Sequence, residues 1–377
     1  MKRVLPILLL FFLTVARFYA QPPKVVGYLP YYRFSLAGNI AFEKLTHLCI
    51  AFANPDSEGQ LSVGGEDIAP IVAAGHQAGV VVFISLGGGA IPPAAAANWK
   101  ELTKPQNRPA FIQKIVAFVI DYNLEGVDMD LEWGNVDANY SGFNLELRDS
   151  LDVYGKKLTA ALPGTYRYPE ISDEALFSFD FINVMAYDLT GPWAPGNPGQ
   201  HSPYSYAVNS LDFWMAQGLP GESLTLGLPF YGYDFTNAAN VVSFTYGSMV
   251  AEDPAYAQLD QVGLRYYNGI PTIEAKTELA KEQAAGVCIW ELGQDAFNEY
   301  SLLLAIDGVL VVDAKATVAQ TPVAVYPNPF GETLRIEGLG KEAVSVFLSH
   351  PDGRLIFERQ VKTADIFSLD TSGLPPG

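Results

Sequence analysis

Residues Glu125–Trp133 read EGVDMDLEW. Asp128, Asp130 and Glu132 alternate with Val127, Met129 and Leu131. An extended strand turns successive side chains to opposite faces, so the acids share one face and the apolar residues share the other. Neighbouring acids then stand about 6–7 Å apart. Three carboxylates on one buried face raise one another's pKa, and low dielectric adds to the cost. A strand that served packing alone would carry Val or Ile there. A solvated face is the other reading of the pattern, and the apolar neighbouring strands oppose it. The pattern therefore points to a carboxylate cluster tuned for acid–base chemistry, with one member kept protonated by the others.

The neighbouring segments say what holds such a strand. Apolar strands are expected at Val25–Arg33 (with its loop), Leu45–Pro55, Gly79–Gly89, Lys157–Gly164, Phe179–Trp193 (with its loop), Leu224–Phe235 and Gly286–Asp295. Helical patterns separate them, at Glu66–Gly79, Asn107–Tyr122, Asn139–Lys156, Ser205–Gln217 and Ile273–Ala285, with a last helix at Phe297–Ile306. Continuous apolar strands with helical crossovers give a parallel sheet covered on its outside. Eight such repeats predict an α/β fold, a (β/α)8 TIM barrel over residues 24–310. Tyr28, Phe52, Ser85, Glu132, Tyr187, Asp188, Tyr231 and Trp290 fall where the strands end. The C-terminal face of this barrel carries the active site, so they are expected to converge in one cleft.

Residues 1–20 read as a secretion signal: Lys2 and Arg3 precede an apolar run, Leu5–Val15, that is too short to span a bilayer. Without Lys2, Arg3 and Arg17, 20 basic residues of the 23 face 41 acidic ones, a net charge of −21. That balance argues against nucleic acid as a partner and favours neutral or cationic ligands. No other apolar run is long enough for a transmembrane segment, so a secreted, extracellular or cell-surface protein is expected. Cys49 and Cys288 sit in apolar strands and read as small buried hydrophobes. The four histidines show no ligand spacing, so neither a metal nor another cofactor is expected. Residues 311–323 read as a linker, and 324–377 as a small all-β, sandwich-like module. Tyr326–Pro329 (YPNP) and the Asp352–Arg354 turn in that module resemble the C-terminal sorting domain of cargo exported by the Bacteroidetes type IX secretion machinery. The chain stops at Gly377, short of that family's last strand, which suggests a truncated record.

From Val25 to Ile306 the chain resembles glycoside hydrolase family 18, the chitinase family. Glu125, Asp128, Asp130 and Glu132 match its D-x-x-D-x-D-x-E strand, with Glu for Asp at the first acid. Ser85–Gly88 matches S-x-G-G, Met185–Asp188 matches M-x-Y-D, and Trp290 matches the eighth-strand tryptophan. The resemblance implies catalytic roles. Glu132 protonates the glycosidic oxygen and later activates water. Asp130 contacts the substrate acetamido group, and Asp128 shares charge or a proton with Asp130. Tyr187 bonds the acetamido carbonyl oxygen, and Trp290 floors the sugar subsite. Asp188, Met185, Tyr28, Phe52 and Trp133 are the remaining candidates for substrate contact. Ser85 reads as orienting Asp128 or Tyr28.

The implied activity is a secreted glycosidase that cleaves β-1,4-N-acetylglucosamine linkages of a polysaccharide or oligosaccharide with retention, using the substrate's own amide as nucleophile. Alternatives are an endo-β-N-acetylglucosaminidase acting on N-glycans or peptidoglycan, and a non-catalytic, lectin-like chitin-binding barrel. Family members of the last kind commonly lose the acid that Glu132 supplies. The short segment between Phe235 and Gly286 leaves little room for an inserted domain, so an open groove and endo-type cleavage are expected.

Overall fold

A computed structural model describes residues 22–316 and the strand segments 12–16, 324–326, 333–337, 344–349, 355–361 and 366–370. The chain divides into two compact units, one of residues 23–314 and one joining 1–22 with 315–377.

The larger unit is built on eight strands: β1 Lys24–Pro30, β2 His47–Pro55, β3 Val81–Gly88, β4 Gly126–Leu131, β5 Lys157–Pro163, β6 Ile182–Met185, β7 Leu224–Pro229 and β8 Gly286–Trp290. Each pairs in parallel with its neighbour, and β8 pairs with β1, so the sheet closes into the expected barrel. Closure sorts the apolar residues into two clusters. Val127, Met129 and Leu131 join the outer one, packed against the surrounding helices. Val26, Cys49, Phe83, Phe181 and Cys288 plug the barrel interior, and both cysteines are free thiols. The opposite face of β4 turns Asp128 and Asp130 inward, at 0% and 3% exposure.

The helices are α1 Ala69–Gln77, α2 Pro93–Leu102, α3 Arg108–Asp121, α4 Tyr140–Asp152, α5 Asp173–Phe177, α6 Tyr204–Ala216, α7 Tyr246–Glu252, α8 Ile270–Gln283 and α9 Leu302–Ala316. In α3 the buried stripe is Phe111, Ile112, Ile115, Val116 and Val119, and a proline in its first turn fits a position whose N–H has no helical acceptor. Glu125 does not reach the site. It lies below β4, accepting the Val82 N–H at 2.8 Å and facing His76 Nε2 at 3.1 Å, so it ties α1 and β3 to the foot of the acidic strand.

Several elements differ from the sequence expectation. Helix α2 fills a stretch with no expected element, because its prolines lie before and within its first turn, where they are tolerated. The Leu224–Phe235 run is two strands. It leaves the barrel at Pro229, and Tyr231–Asp234 pairs with Val242–Thr245 and Arg265–Tyr266 in a small antiparallel sheet. Proline cannot donate to a ladder, which ends the parallel pairing there. Helix α9 starts at Leu302, where Asp295 accepts the free N–H groups of Leu302 (2.8 Å) and Leu303 (3.2 Å), and it runs to Ala316, into the expected linker.

In the smaller unit, Phe12–Ala16 pairs antiparallel with Val344–Ser349, which pairs with Leu355–Val361. Ala324–Tyr326, Thr333–Glu337 and Ile366–Asp370 form a second three-stranded sheet. Most of the expected signal, residues 317–323 of the linker, Pro327–Pro329 and the Asp352–Arg354 turn lie outside the described residues. Among the described residues no helix is long and apolar enough to cross a membrane.

The closing seam sets a strict size limit. Gly286 has φ +141°, and a Cβ there would lie 2.0 Å from the Lys24 carbonyl oxygen. Gly286→Ala is therefore expected to destabilise the barrel by about 2–4 kcal/mol in urea titration. Gly38→Ala, where a Cβ meets open space, is the control and should change little.

Candidate active site

The deepest acid is also the best solvated by protein. Asp128 Oδ2 accepts hydrogen bonds from Tyr28 Oη (2.8 Å) and Ser85 Oγ (2.8 Å). Its Oδ1 accepts from Thr159 Oγ1 (2.7 Å) and Asn183 Nδ2 (3.1 Å). Asn183 is oriented in turn by Thr225, whose hydroxyl donates to Asn183 Oδ1 at 2.6 Å. The barrel register places these groups together, with Ser85 beside Asp128, Asp128 beside Thr159, and Asn183 beside Thr225. Burial pushes the Asp128 carboxyl up, and the four donors act against that. A carboxylate with four donors on its lone pairs has no vacant site for a proton.

Asp130 is in the opposite situation. Its Oδ1 is buried with no hydrogen-bond partner. Burial first, then the charges of Glu132 and Asp128, raise its pKa well above the usual carboxylate range. The proton of the pair therefore belongs to Asp130, not to Asp128. Glu132, at the mouth, is raised to about 7, mainly by burial and next by Asp188. The glycine run after β3 leaves room for it, since a Cβ on Gly89 would lie 2.8 Å from Glu132 Oε1.

The mouth around these acids is aromatic. Trp290 stacks on Phe52 with ring centres 5.4 Å apart and planes at 19°, and Tyr28 tilts against it at 5.8 Å. Tyr187 meets Tyr231 edge to face at 6.1 Å. Burial raises the Tyr187 phenol far above its ordinary value, and Cys288, Asp130, Asp188 and Glu132 add to that, so it stays a donor at any working pH. Asp188 has φ +67°, and its Oδ1 accepts from Tyr231 Oη (2.6 Å) and Tyr233 Oη (3.0 Å).

Tyr28, Phe52, Asp130, Glu132, Met185, Tyr187 and Trp290 line one cleft of about 950 Å³. Asp128 lies beneath its floor. Asp188 and Trp133 are not among its walls. Trp133, 61% exposed with φ +50°, donates its N–H to Tyr168 Oη at 3.0 Å and lays its ring edge to face on Tyr168. The segments after β1, β2 and β3, with the end of β2 and the first turns of α2, supply the rest of the wall, including Tyr31, Tyr32, Asn54, Asp56 and Asn98. Tyr32, Asn54, Asp56 and Asn98, and the donors Thr159, Asn183 and Thr225, escape the sequence reading, whereas Tyr31 is a candidate stacking residue there. Each donor is a single polar residue on an inward position of an otherwise apolar strand, and that interruption is the signal that marks it. Among the described residues no cluster of three His, Cys, Asp or Glu could hold a metal ion.

These electrostatics make a stability prediction. A carboxyl raised to about 7 in the fold and near 4.3 when unfolded favours folding below the unfolded value and loses that advantage as pH rises through about 7. Glu132→Gln should therefore raise the Tm at pH 8, by an amount corresponding to about 2–4 kcal/mol, and change it little at pH 4. Equal shifts at both pH values would contradict the assignment.

Residues 24–295 match the family model for glycosyl hydrolases family 18. Among solved structures the chain is similar to a chitinase of that family from the chitin utilization locus of Flavobacterium johnsoniae, at 49% identity and a TM-score of 0.75, covering 77% of this chain and 94% of that one. It is 28% identical over 225 residues to a chitinase-like effector of Moniliophthora roreri, covering 52% of this chain and 55% of the relative. It is 31% identical over 182 residues to an endochitinase of Manduca sexta, covering 40% of this chain and 32% of the relative. The chain thus spans about half or less of the length of these two curated relatives. The match spans the whole closed barrel and every residue of the acid cluster, and the chain belongs to glycosyl hydrolases family 18.

Proposed function

We propose that the protein hydrolyses β-1,4-linked N-acetylglucosamine chains, chitin or its oligosaccharides, with retention and with the substrate's acetamido oxygen as nucleophile. The observation that carries this reading is the Glu132 carboxyl in the cleft, raised to about 7 beside Asp130, Tyr187 and Trp290. General acid catalysis works best when the acid titrates near the working pH.

In the first step the acetamido carbonyl oxygen bonds to the anomeric carbon and the glycosidic C–O bond breaks. The Glu132 proton goes to the leaving oxygen, and an oxazolinium ion remains on the sugar. In the second step Glu132 takes a proton from water, the hydroxide oxygen bonds to the anomeric carbon, and the acetamide is restored. Asp130 Oδ1, free of any protein donor, accepts the acetamide N–H. Tyr187, held as a donor, bonds the acetamide oxygen. The stacked Trp290–Phe52 pair offers an apolar floor to the sugar face. Fixing the internal nucleophile in this way replaces a second carboxylate nucleophile.

Cleavage within chains fits the cleft. The segment between Phe235 and Gly286 adds short strands, two helices and a 3₁₀ turn, not a walling domain. The charged start and apolar run of residues 2–15 support export, and the 324–377 segment supports a type IX route.

Glu132→Gln is expected to cut turnover about 10²- to 10⁴-fold on defined N-acetylglucosamine oligomers, with products read by mass spectrometry, while sugar binding persists. Retained hydrolysis would remove Glu132 from its role. For the wild type, kcat/KM should fall as pH rises through about 7, because the reaction starts from protonated Glu132. Oligomers stripped of N-acetyl groups should not be cleaved, and full turnover of them would exclude the internal nucleophile.

A further inference from the structure

We propose that Lys276 and Ser202 form a buried staple that positions Tyr187 and Asp188, making both of them positioning residues for the reaction. The inference rests on the catalytic reading above.

Strand β6 ends at Met185, and Ala186 bonds back to the Val184 carbonyl at 2.8 Å. From there the chain has left the barrel ladder, yet it must present Tyr187 to the cleft and hold Asp188 in a left-handed conformation. Aspartate adopts that conformation more readily than most residues, and here its surroundings also hold it. The surroundings are residues 201–202. Ser202 Oγ donates to the Ala186 carbonyl at 2.7 Å. The Asp188 N–H donates to His201 Nδ1 at 3.4 Å, and the Leu189 N–H donates to the His201 carbonyl at 3.0 Å. His201 Nε2 donates to the Tyr231 carbonyl at 3.2 Å, and its Nδ1 also lies 3.4 Å from Asp188 Oδ1, so the ring touches both the backbone and the carboxylate of Asp188.

Lys276 on α8 pins that segment from behind. Its ammonium is fully buried and donates to the Ser202 carbonyl (2.6 Å), Ser202 Oγ (2.7 Å) and Asn268 Oδ1 (2.6 Å). Asn268 Nδ2 donates to the same Ser202 carbonyl at 3.0 Å. Burial lowers Lys276 to about 7; while it is protonated it can only donate, so Ser202 Oγ accepts from it and turns its own proton to Ala186. The ammonium thus dictates the direction of the hydroxyl that ends β6. Among the described residues Asp260 is the charge that acts on Lys276, and its carboxylate is already engaged by the Gly269 N–H (2.9 Å) and Thr272 Oγ1 (2.6 Å). An apolar side chain would pack α8 without a buried charge. Burying an ammonium without a contacting carboxylate is costly, and its three hydrogen bonds all serve this one junction.

The link to chemistry runs through charge. Asp188 is the leading charge that raises Glu132, and Asp130 and Tyr187 stand in the same cleft mouth. If the staple is cut and Asp188 relaxes, Glu132 should ionise more readily. A merely structural lysine would lower stability and leave that ionisation in place.

The test compares wild type, Lys276→Met and Ser202→Ala, the second keeping the buried lysine and its other two acceptors. Carboxyl-carbon NMR, with Glu132→Gln for assignment, reads the Glu132 titration directly, and kcat/KM is followed against pH on N-acetylglucosamine oligomers. Both variants should titrate Glu132 at lower pH, move the alkaline limb of kcat/KM the same way and lose about 10- to 100-fold in kcat/KM. An unchanged Glu132 titration in folded Ser202→Ala overturns the staple, even if Lys276→Met fails to fold. A wild type that leaves the oligomers intact defeats the functional reading instead, and the NMR titration still decides the staple.

Discussion

Three carboxylates inside one barrel cannot all be charged at low cost, and the structure is arranged around that constraint. An effective desolvation penalty of several kcal/mol attends each buried ion. Hydrogen bonds to a charged group return roughly 1.5–3 kcal/mol each, so the four donors on Asp128 favour its charged form against the burial that raises it. Asp130 has no such set, and its Oδ1 has no donor among the described residues. The asymmetry between two residues on the same strand face divides the labour: one fixed anion below, one neutral carboxyl above, and Glu132 poised at the mouth.

The rest of the barrel serves this division. Tyr28, Ser85, Thr159 and Asn183 come from four different strands, so the anion joins β1, β3, β5 and β6 to β4. The apolar plug of Val26, Cys49, Phe83, Phe181 and Cys288 excludes water from one side. The aromatic mouth, with Trp290 on Phe52 and Tyr187 on Tyr231, excludes it from the other and presents a flat apolar surface to a sugar ring. The same burial that makes the cluster costly raises Glu132 into the range where an acid can both give and take a proton.

Much of this was legible in the sequence, for stated physical reasons. The two-residue period of Asp128, Asp130 and Glu132 is a property of strands, and it placed the acids on one face correctly. Continuous apolar runs gave the barrel strands, because strands buried on both sides need no alternation. The donors Thr159, Asn183 and Thr225 were not legible, since one polar residue in an apolar strand has no period to reveal its partner. Pro229 ends the seventh barrel strand inside an unbroken apolar run, and a change of sheet leaves little trace in hydropathy. Much of the cleft wall from Tyr31 to Asp56 sits at strand ends and on short 3₁₀ and loop segments, where pattern carries least. Glu125 matched a motif position but serves the barrel foot, which its place ahead of the strand explains.

The proton inventory is the most direct test of the central claim. Neutron diffraction of the free protein crystallised from deuterated buffer near pH 6 would locate the hydrogens on all three acids. The account predicts a deuteron on Asp130 and on Glu132, none on Asp128, and the hydroxyl deuterons of Tyr28, Ser85 and Thr159 pointing at Asp128. A deuteron on Asp128, with Asp130 bare, would contradict it.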